Sequence, residues 1–261
     1  MSASAGDDRT LLGHARPLMS CFLRTYFVGA AFNTRGMQNV GLVFSMEPGL
    51  EVIYPDPAKR AVARQRYLSH YNTHYFWTPL LVGVFLSLED KISKGLFPAN
   101  VLESVKDTTV YTLSAIGDSV LTGSLLMFWS LTTALFLAAG AGWAALVWGL
   151  FWFVSLQLFK LSTFLMGYKE GLRLISRLRQ WNLINWGRRL KVINALILVL
   201  LLYLLWPEGK SSWQWLAGAV ALGLFAWLVS RRHVSREIMV LVLLAFWWCL
   251  PWLQESLGVA F

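Results

Sequence analysis

The chain has 261 residues, of which 56% are hydrophobic and 14% charged, against about a quarter charged in ordinary soluble domains. That balance excludes a water-soluble enzyme and a disordered regulator and implies an integral membrane protein. The formal charge of +9 does not signal nucleic acid. Residues 1–106 are nearly balanced, and seven of the later cations crowd between Lys169 and Lys191, flanked by hydrophobic blocks as in a cytoplasmic loop.

In chain order, Met1 to Thr10 is polar and acidic, with no apolar core behind it. No cleavable signal peptide is therefore expected, and the N-terminus is expected to stay in the cytoplasm. Cys21 and Cys249 stand far apart in different surroundings and make neither a disulfide framework nor a metal motif. Asp56-Pro57 reads as an N-cap with proline at the first helical position. The helix after it is expected to set Ala61, Leu68 and Tyr71 on one side, with Lys59, Arg60, Arg64 and Arg66 over the rest, as a surface amphipathic helix. Tyr75–Leu88 is uncharged but only 14 residues long, which suits a re-entrant or buried segment better than a span.

Between Ser119 and Phe159 there is no charge at all. As one helix this stretch would be about 60 Å long, roughly twice a bilayer core. It must fold back, and Gly140-Ala141-Gly142 is the natural turn between spans near Ser119–Ala139 and Trp143–Gly167. Lys160 falls inside the second, where a lone charge must face protein or water. Shorter apolar segments follow at Val192–Trp206, Trp213–Val229 and Ile238–Leu253. Placing the basic loops 169–191 and 230–236 inside gives five spans and an external C-terminus. The expected fold is an all-α polytopic membrane protein with about five transmembrane helices and an N-terminal part containing re-entrant hairpin segments. Residues 1–106 form the cytoplasmic and re-entrant part, and residues 107–261 the transmembrane part.

Three polar constellations border on apolar sequence: Arg35–Asn39, Asn72-Thr73-His74, and Ala115–Ser119 with the isolated carboxylate of Asp118. A neutral polyhydroxylated ligand needs carboxamides and carboxylates for its hydroxyls and an aromatic face for its C–H surface. Gln38, Asn72, Glu89, Asp118 and Trp77 offer that chemistry. Each has a plainer reading. Asn72 serves equally as a cap or turn residue. Gly117-Asp118-Ser119 serves as an acid-capped helix start, and Gln38 and Asn39 as partners for backbone groups at a kink. His70 and His74 would share a face if helical, but no third ligand and no H-E-x-x-H pattern accompany them, so no metal is expected. Nothing marks a base or oxyanion donor beside Cys21, and no Walker or Rossmann pattern occurs. Neither catalysis nor a cofactor is expected.

The blocks Phe32-Asn33-Thr34-Arg35-Gly36-Met37-Gln38-Asn39-Val40-Gly41, Tyr54-Pro55, Tyr71-Asn72-Thr73-His74, Leu88-Glu89, Ala115-Ile116-Gly117-Asp118 and Gly167-Tyr168-Lys169-Glu170-Gly171 resemble, in order and spacing over residues 20–175, the IID component of the mannose/fructose/sorbose family of the bacterial phosphotransferase system. Ser119 and Tyr75 stand where that family usually has proline.

The resemblance implies a multi-pass subunit of the bacterial inner membrane that pairs with IIC as a sugar permease, in a higher oligomer of IIC–IID pairs. Cytoplasmic IIB, recharged by IIA, phosphorylates the emerging hexose, and IID itself carries no phosphoryl group. It also implies re-entrant hairpins and an elevator-like motion. Asn72, Thr73, His74, Gln38, Glu89 and Asp118 are the substrate-binding candidates it implies. A sensory or assembly subunit that no longer transports is the alternative.

Overall fold

The computed structural model describes residues 15–205 and ten further positions between 213 and 244. The expected segments Trp213–Val229 and Ile238–Leu253, the loops 207–212 and 230–236, the residues before 15, and Cys249 therefore lie wholly or largely outside the described residues. The chain divides into two compact units, residues 1–201 and 202–261. In the second, Tyr203 meets Trp215 edge-on with ring centroids 5.6 Å apart. The rest concerns the first unit.

Among the described residues every regular element is helical: α1 (Ala15–Arg24), α2 (Asn39–Ile53), α3 (Pro57–Gln65), α4 (Thr78–Ser93), α5 (Ala99–Ile116), α6 (Met127–Ala138), α7 (Gly142–Glu170), α8 (Leu172–Gln180) and α9 (Leu183–Leu204). Two are long and apolar enough to cross a membrane: Ala99–Ala138, which joins α5 to α6, and α7. The fold is all-α and of membrane type, as expected, with two differences in the first span. The expected helix near Ser119–Ala139 is only the second half of a 40-residue helix, and Gly117-Asp118-Ser119 starts nothing. These residues open the wide π-helical stretch Gly117–Leu126 inside that helix.

The fold-back is where the glycines put it. Gly140 has φ +72°, a conformation open to glycine at no steric cost, and α6 and α7 then pack as a hairpin. Phe128, Phe136, Trp148 and Trp152 interlock across it at near-perpendicular angles, and the Trp148 indole N–H donates to Thr132 Oγ1 at 2.8 Å. The basic stretch expected as a loop is instead the end of α7, α8 and the first turns of α9. The α8 residues Leu174 and Leu178 are buried in the core, while Arg173 and Arg177 face outward. Asn194, the polar residue in the α9 apolar run, donates to the Ser124 carbonyl at 2.9 Å and so ties α9 to the π-helical stretch.

The α3 helix begins as read, with Asp56 accepting from the Ala58 N–H at 2.9 Å. It ends at Gln65, however, so Leu68 and Tyr71 belong to the irregular strap that follows, residues 66–77. Pro48 inside α2 has no N–H to offer the Phe44 carbonyl. Arg24 fills the gap, donating from Nη1 to Phe44 O at 3.2 Å while its guanidinium lies 4.5 Å from the Phe44 ring centroid.

The centre of the unit is α4, buried on every side from Thr78 to Glu89, as a helix apolar all round must be. Its main partner is α7, and the two backbones touch. A Cβ on Gly83 would strike the Phe164 carbonyl, and one on Gly167 would lie 2.6 Å from the Leu80 carbonyl oxygen. Small residues at a helix crossing permit this approach. Gly149, by contrast, has nothing within 4 Å of a built Cβ. Gly83→Ala and Gly167→Ala should each cost about 1–3 kcal/mol through overpacking, whereas Gly149→Ala should leave thermal unfolding in detergent unchanged.

Candidate functional site

The strap 66–77 is irregular yet fastened along its length. Tyr71 exchanges backbone hydrogen bonds with the 33–38 turn: its N–H donates to Gly36 O at 3.1 Å, and its carbonyl accepts from Gln38 N at 2.8 Å. Asn33 closes that turn, Oδ1 accepting from the N–H groups of Arg35 and Gly36 and Nδ2 donating to Asn39 Oδ1 at 2.9 Å. Asn39 Nδ2 in turn donates to Leu68 O at 2.6 Å. From the long helix, buried Lys106 reaches the strap at Arg66 O, 2.9 Å away, and at Ser69 Oγ. Much of the 32–41 block thus builds a turn and holds a strap.

That frame brings the three polar constellations together. Gln38, Asn72, Thr73, His74 and Asp118 line one pocket of about 310 Å³, joined by Phe32, Tyr75, Ser114 and Thr122. The Gln38 carboxamide is buried and accepts from the Thr73 N–H at 3.3 Å. The Thr73 hydroxyl is buried and, among the described residues, has no partner. Among the described residues the Asn72 carboxamide and the Asp118 carboxylate have neither a hydrogen-bond partner nor an ion pair. The arrangement leaves a hydroxyl, a carboxamide and a carboxylate unspent around one space.

His74 forms part of the wall. Its Nδ1 accepts from the Phe76 N–H at 3.4 Å and its Nε2 lies 2.8 Å from Thr122 Oγ1, so the neutral ring carries its proton on Nε2 and donates it to the threonine. Burial lowers its proton affinity below the usual histidine range, opposed by Asp118 and reinforced by Lys160. On the far side of the His74–Thr122 pair lies an apolar cavity of about 250 Å³, set mainly between the π-helical stretch and α7. A larger one, about 560 Å³, bordered by Thr108, Thr109 and Thr112, has no titratable side chain in its lining.

Glu89, expected beside these residues, stands elsewhere. Its buried carboxylate takes a two-pronged contact from Arg66, Nε to Oε1 at 3.0 Å and Nη2 to Oε2 at 2.5 Å. The hydroxyls of Tyr67 and Tyr54 donate to Oε1 and Oε2, each at 2.8 Å. Burial first, then the adjacent carboxylate, pushes both tyrosines up, so they remain protonated donors. All four oxygen positions are used internally, and the role is to clamp the strap to α4. Trp77 is likewise removed from the pocket: it is buried against Phe159, and Phe32 and Tyr75 are the pocket's aromatics. His70 and His74 do not share a helix. His70 stacks on Tyr111, ring centroids 6.0 Å apart, and among the described residues no group of three metal-ligating side chains forms. Burial raises the Cys21 thiol to about 12, which leaves it an inert core residue.

Ser114 and Thr122 were missed by the sequence reading. The available signal is the four-residue spacing Ser114–Asp118–Thr122 around the isolated carboxylate of Asp118.

Fold and site together define an all-α membrane protein with a polar pocket set between a fastened strap and a long membrane helix. Residues 14–202 match the family described as "PTS system mannose/fructose/sorbose family IID component". The chain belongs to that family. It is similar to the "PTS system mannose-specific EIID component" of Escherichia coli (strain K12), 29% identical over 163 residues, covering 59% of this chain and 55% of that one. It is also similar to the "Fructose permease IID component" of Bacillus subtilis (strain 168), 28% identical over 161 residues, 60% of this chain and 56% of that one. The chain spans about half the length of the relatives it matches. A solved structure described as "Structure of membrane protein" shares the fold with a TM-score of 0.70 at 18% identity, covering 94% of this chain and 97% of that one.

Two outcomes are expected. Glu89→Gln strands the Arg66 charge and should cost about 3–5 kcal/mol, read as a lowered unfolding temperature in detergent. Because folded His74 resists a proton that the unfolded chain accepts, part of the stability should be lost as pH falls through the ordinary histidine value of 6.5 toward the lowered one. His74→Gln should remove that part, seen as a shallower melting-temperature profile over the same window.

Proposed function

We propose that the chain is the IID permease subunit of a mannose-family sugar phosphotransferase system. With an IIC membrane partner it forms the path along which a hexose is taken up, while IIB, recharged by IIA, phosphorylates the sugar. The chain itself is not catalytic. Asn72, Thr73, His74, Gln38 and Asp118, together with Ser114 and Thr122, hold the sugar. Residues 1–106 act as the part that carries the strap, and residues 107–261 as the membrane-helical part. The N-terminus lies in the cytoplasm and the C-terminus outside, with the basic stretch from Lys169 to Lys191 on the inner face.

The observation that carries this reading is the unspent polarity of the pocket. A buried hydroxyl without a partner, on Thr73, is costly unless a ligand completes it. The free carboxamide of Asn72 and carboxylate of Asp118 across the same space match paired sugar hydroxyls, and Phe32 and Tyr75 offer faces for the sugar's C–H surface.

The test is co-expression with the cognate IIC, purification by a tag on this chain, and thermal unfolding with and without hexoses. A ligand of the native complex must raise its stability. A stable pair shifted by a mannose-type sugar supports the reading, and a stable pair that no hexose shifts restores the sensory alternative. Asn72→Ala should lower uptake about tenfold, as expected for about 1–3 kcal/mol of lost hydrogen bonding, with membrane insertion and IIC capture intact. Uptake equal to the parent's would remove Asn72 from the site.

A further inference from the structure

The membrane helix α7 is covered on one face for only half its length. At its C-terminal half that face receives α4, through Phe164 and Gly167, and α4 begins at Thr78, just after Trp77, which packs on Phe159. Toward Gly142 the same face continues at helical spacing through Lys160, Phe153, Gly149, Leu146 and Trp143. There, among the described residues, it is open: Trp143, Leu146 and Phe153 are 76%, 74% and 61% exposed.

Three features of this face distinguish it from a surface made only for lipid. It is concave, because Gly149 leaves open space beside the apolar cavity that Phe153 and Leu156 line from α7, and Leu125 and Trp129 from the neighbouring helix. It ends in donors. The Lys160 ammonium lies 4.3 and 4.7 Å from the ring centroids of Tyr26 and Phe76, and among the described residues it has neither a carboxylate partner nor a hydrogen-bond acceptor. Beside it, Gln157 accepts from the Tyr26 hydroxyl through Oε1, while its amide N–H₂ has no acceptor among the described residues. Finally, the opposite exposed face, Val147, Phe151 and Leu158, is wholly apolar and is the one suited to lipid.

We propose that the groove from Trp143 to Lys160, continuing the line of α4, is the docking site for a membrane helix of the IIC partner, which sets a carboxylate against Lys160 and Gln157 and a bulky apolar side chain into the hole at Gly149. This rests on the IIC pairing proposed above. The groove requires an apolar helix with one acidic residue near its inner end, because an unpaired cation at an apolar interface is costly and a carboxylate offers acceptors to both donors.

The experiment places a photo-cross-linking phenylalanine analogue at Leu146 or Phe153 in the groove, and at Val147 or Leu158 on the opposite face, in the full chain co-expressed with IIC. Adducts with IIC from the groove alone are expected. Gly149→Leu, which fills the hole without touching the core, and Lys160→Glu should each lower co-purified IIC by about tenfold or more, whereas Lys160→Arg should retain it. Reversing the facing acidic residue of IIC should rescue Lys160→Glu. Adducts only with lipid, only with residues 206–261 of the same chain, or equally from both faces would overturn the groove, as would unchanged capture by both disruptive variants. If the unsubstituted chain captures no IIC, the permease reading fails and the groove with it. If it captures IIC and the groove is silent, only the groove fails.

Discussion

The contact on which the remaining structure depends is the meeting of two backbones, α4 and α7, at Gly83 and Gly167. Between apolar helices in a membrane the hydrophobic effect offers little, and close packing must supply the attraction. Removing two side chains at the crossing lets the flanking residues, Leu80 and Val84 on one helix and Phe164 on the other, mesh over a longer contact. A helix held this way can be buried all round, as α4 is, and then serve as an anchor. Glu89 near its end takes Arg66, Tyr67 and Tyr54, which fixes one end of the strap. The strap then delivers Asn72, Thr73 and His74 to Asp118, far away in sequence.

The second device is the π-helical stretch. In an α-helix a residue four positions on leads by about 40°, so a row at spacing four winds slowly around the helix. A π turn closes on the fifth residue and is wider, so there the fourth residue lags. Ser114 to Asp118 is mostly α-helical and Asp118 to Thr122 is π-helical, and lead and lag largely cancel. The three polar side chains consequently line one pocket. The Ser124 carbonyl, in the same π-helical stretch, accepts from Asn194, so α9 is anchored on the segment that shapes the pocket.

This explains what was legible in the sequence. The membrane class, the fold-back at Gly140, the capped start at Asp56 and the burial of most of Tyr75–Leu88, from Trp77 onward, follow from local rules that no distant contact overrides. The three polar constellations were visible because polarity beside apolar sequence is rare. Their division of labour was not. Asn33 and Asn39 look as ligand-ready as Asn72, and only the fold reveals that their carboxamides close a turn while that of Asn72 stays free. Glu89 misled for a related reason: a carboxylate at the end of an apolar segment reads the same whether its partners are a ligand or Arg66 and two tyrosines. The π-helical stretch has no local signature at all, since Gly117–Leu126 is compatible with an ordinary helix start.

Two sets of unsatisfied polar groups among the described residues lie near each other, and under the proposed function one faces a ligand and the other a partner. Inside the pocket the unspent groups are mixed: a hydroxyl, a carboxamide and a carboxylate, which together can both donate and accept. At the head of the vacant half of α7 they are donors alone, an ammonium and an amide. A mixed set suits hydroxyls, which donate and accept in turn. A set of donors suits an anion. Because Phe76 stacks on His74, centroids 5.5 Å apart, while Lys160 lies over the Phe76 ring, the two places are mechanically adjacent. In the proposed docking, a helix arriving at Lys160 would meet the cation that lies over the ring stacked on His74, one aromatic side chain away from the pocket wall.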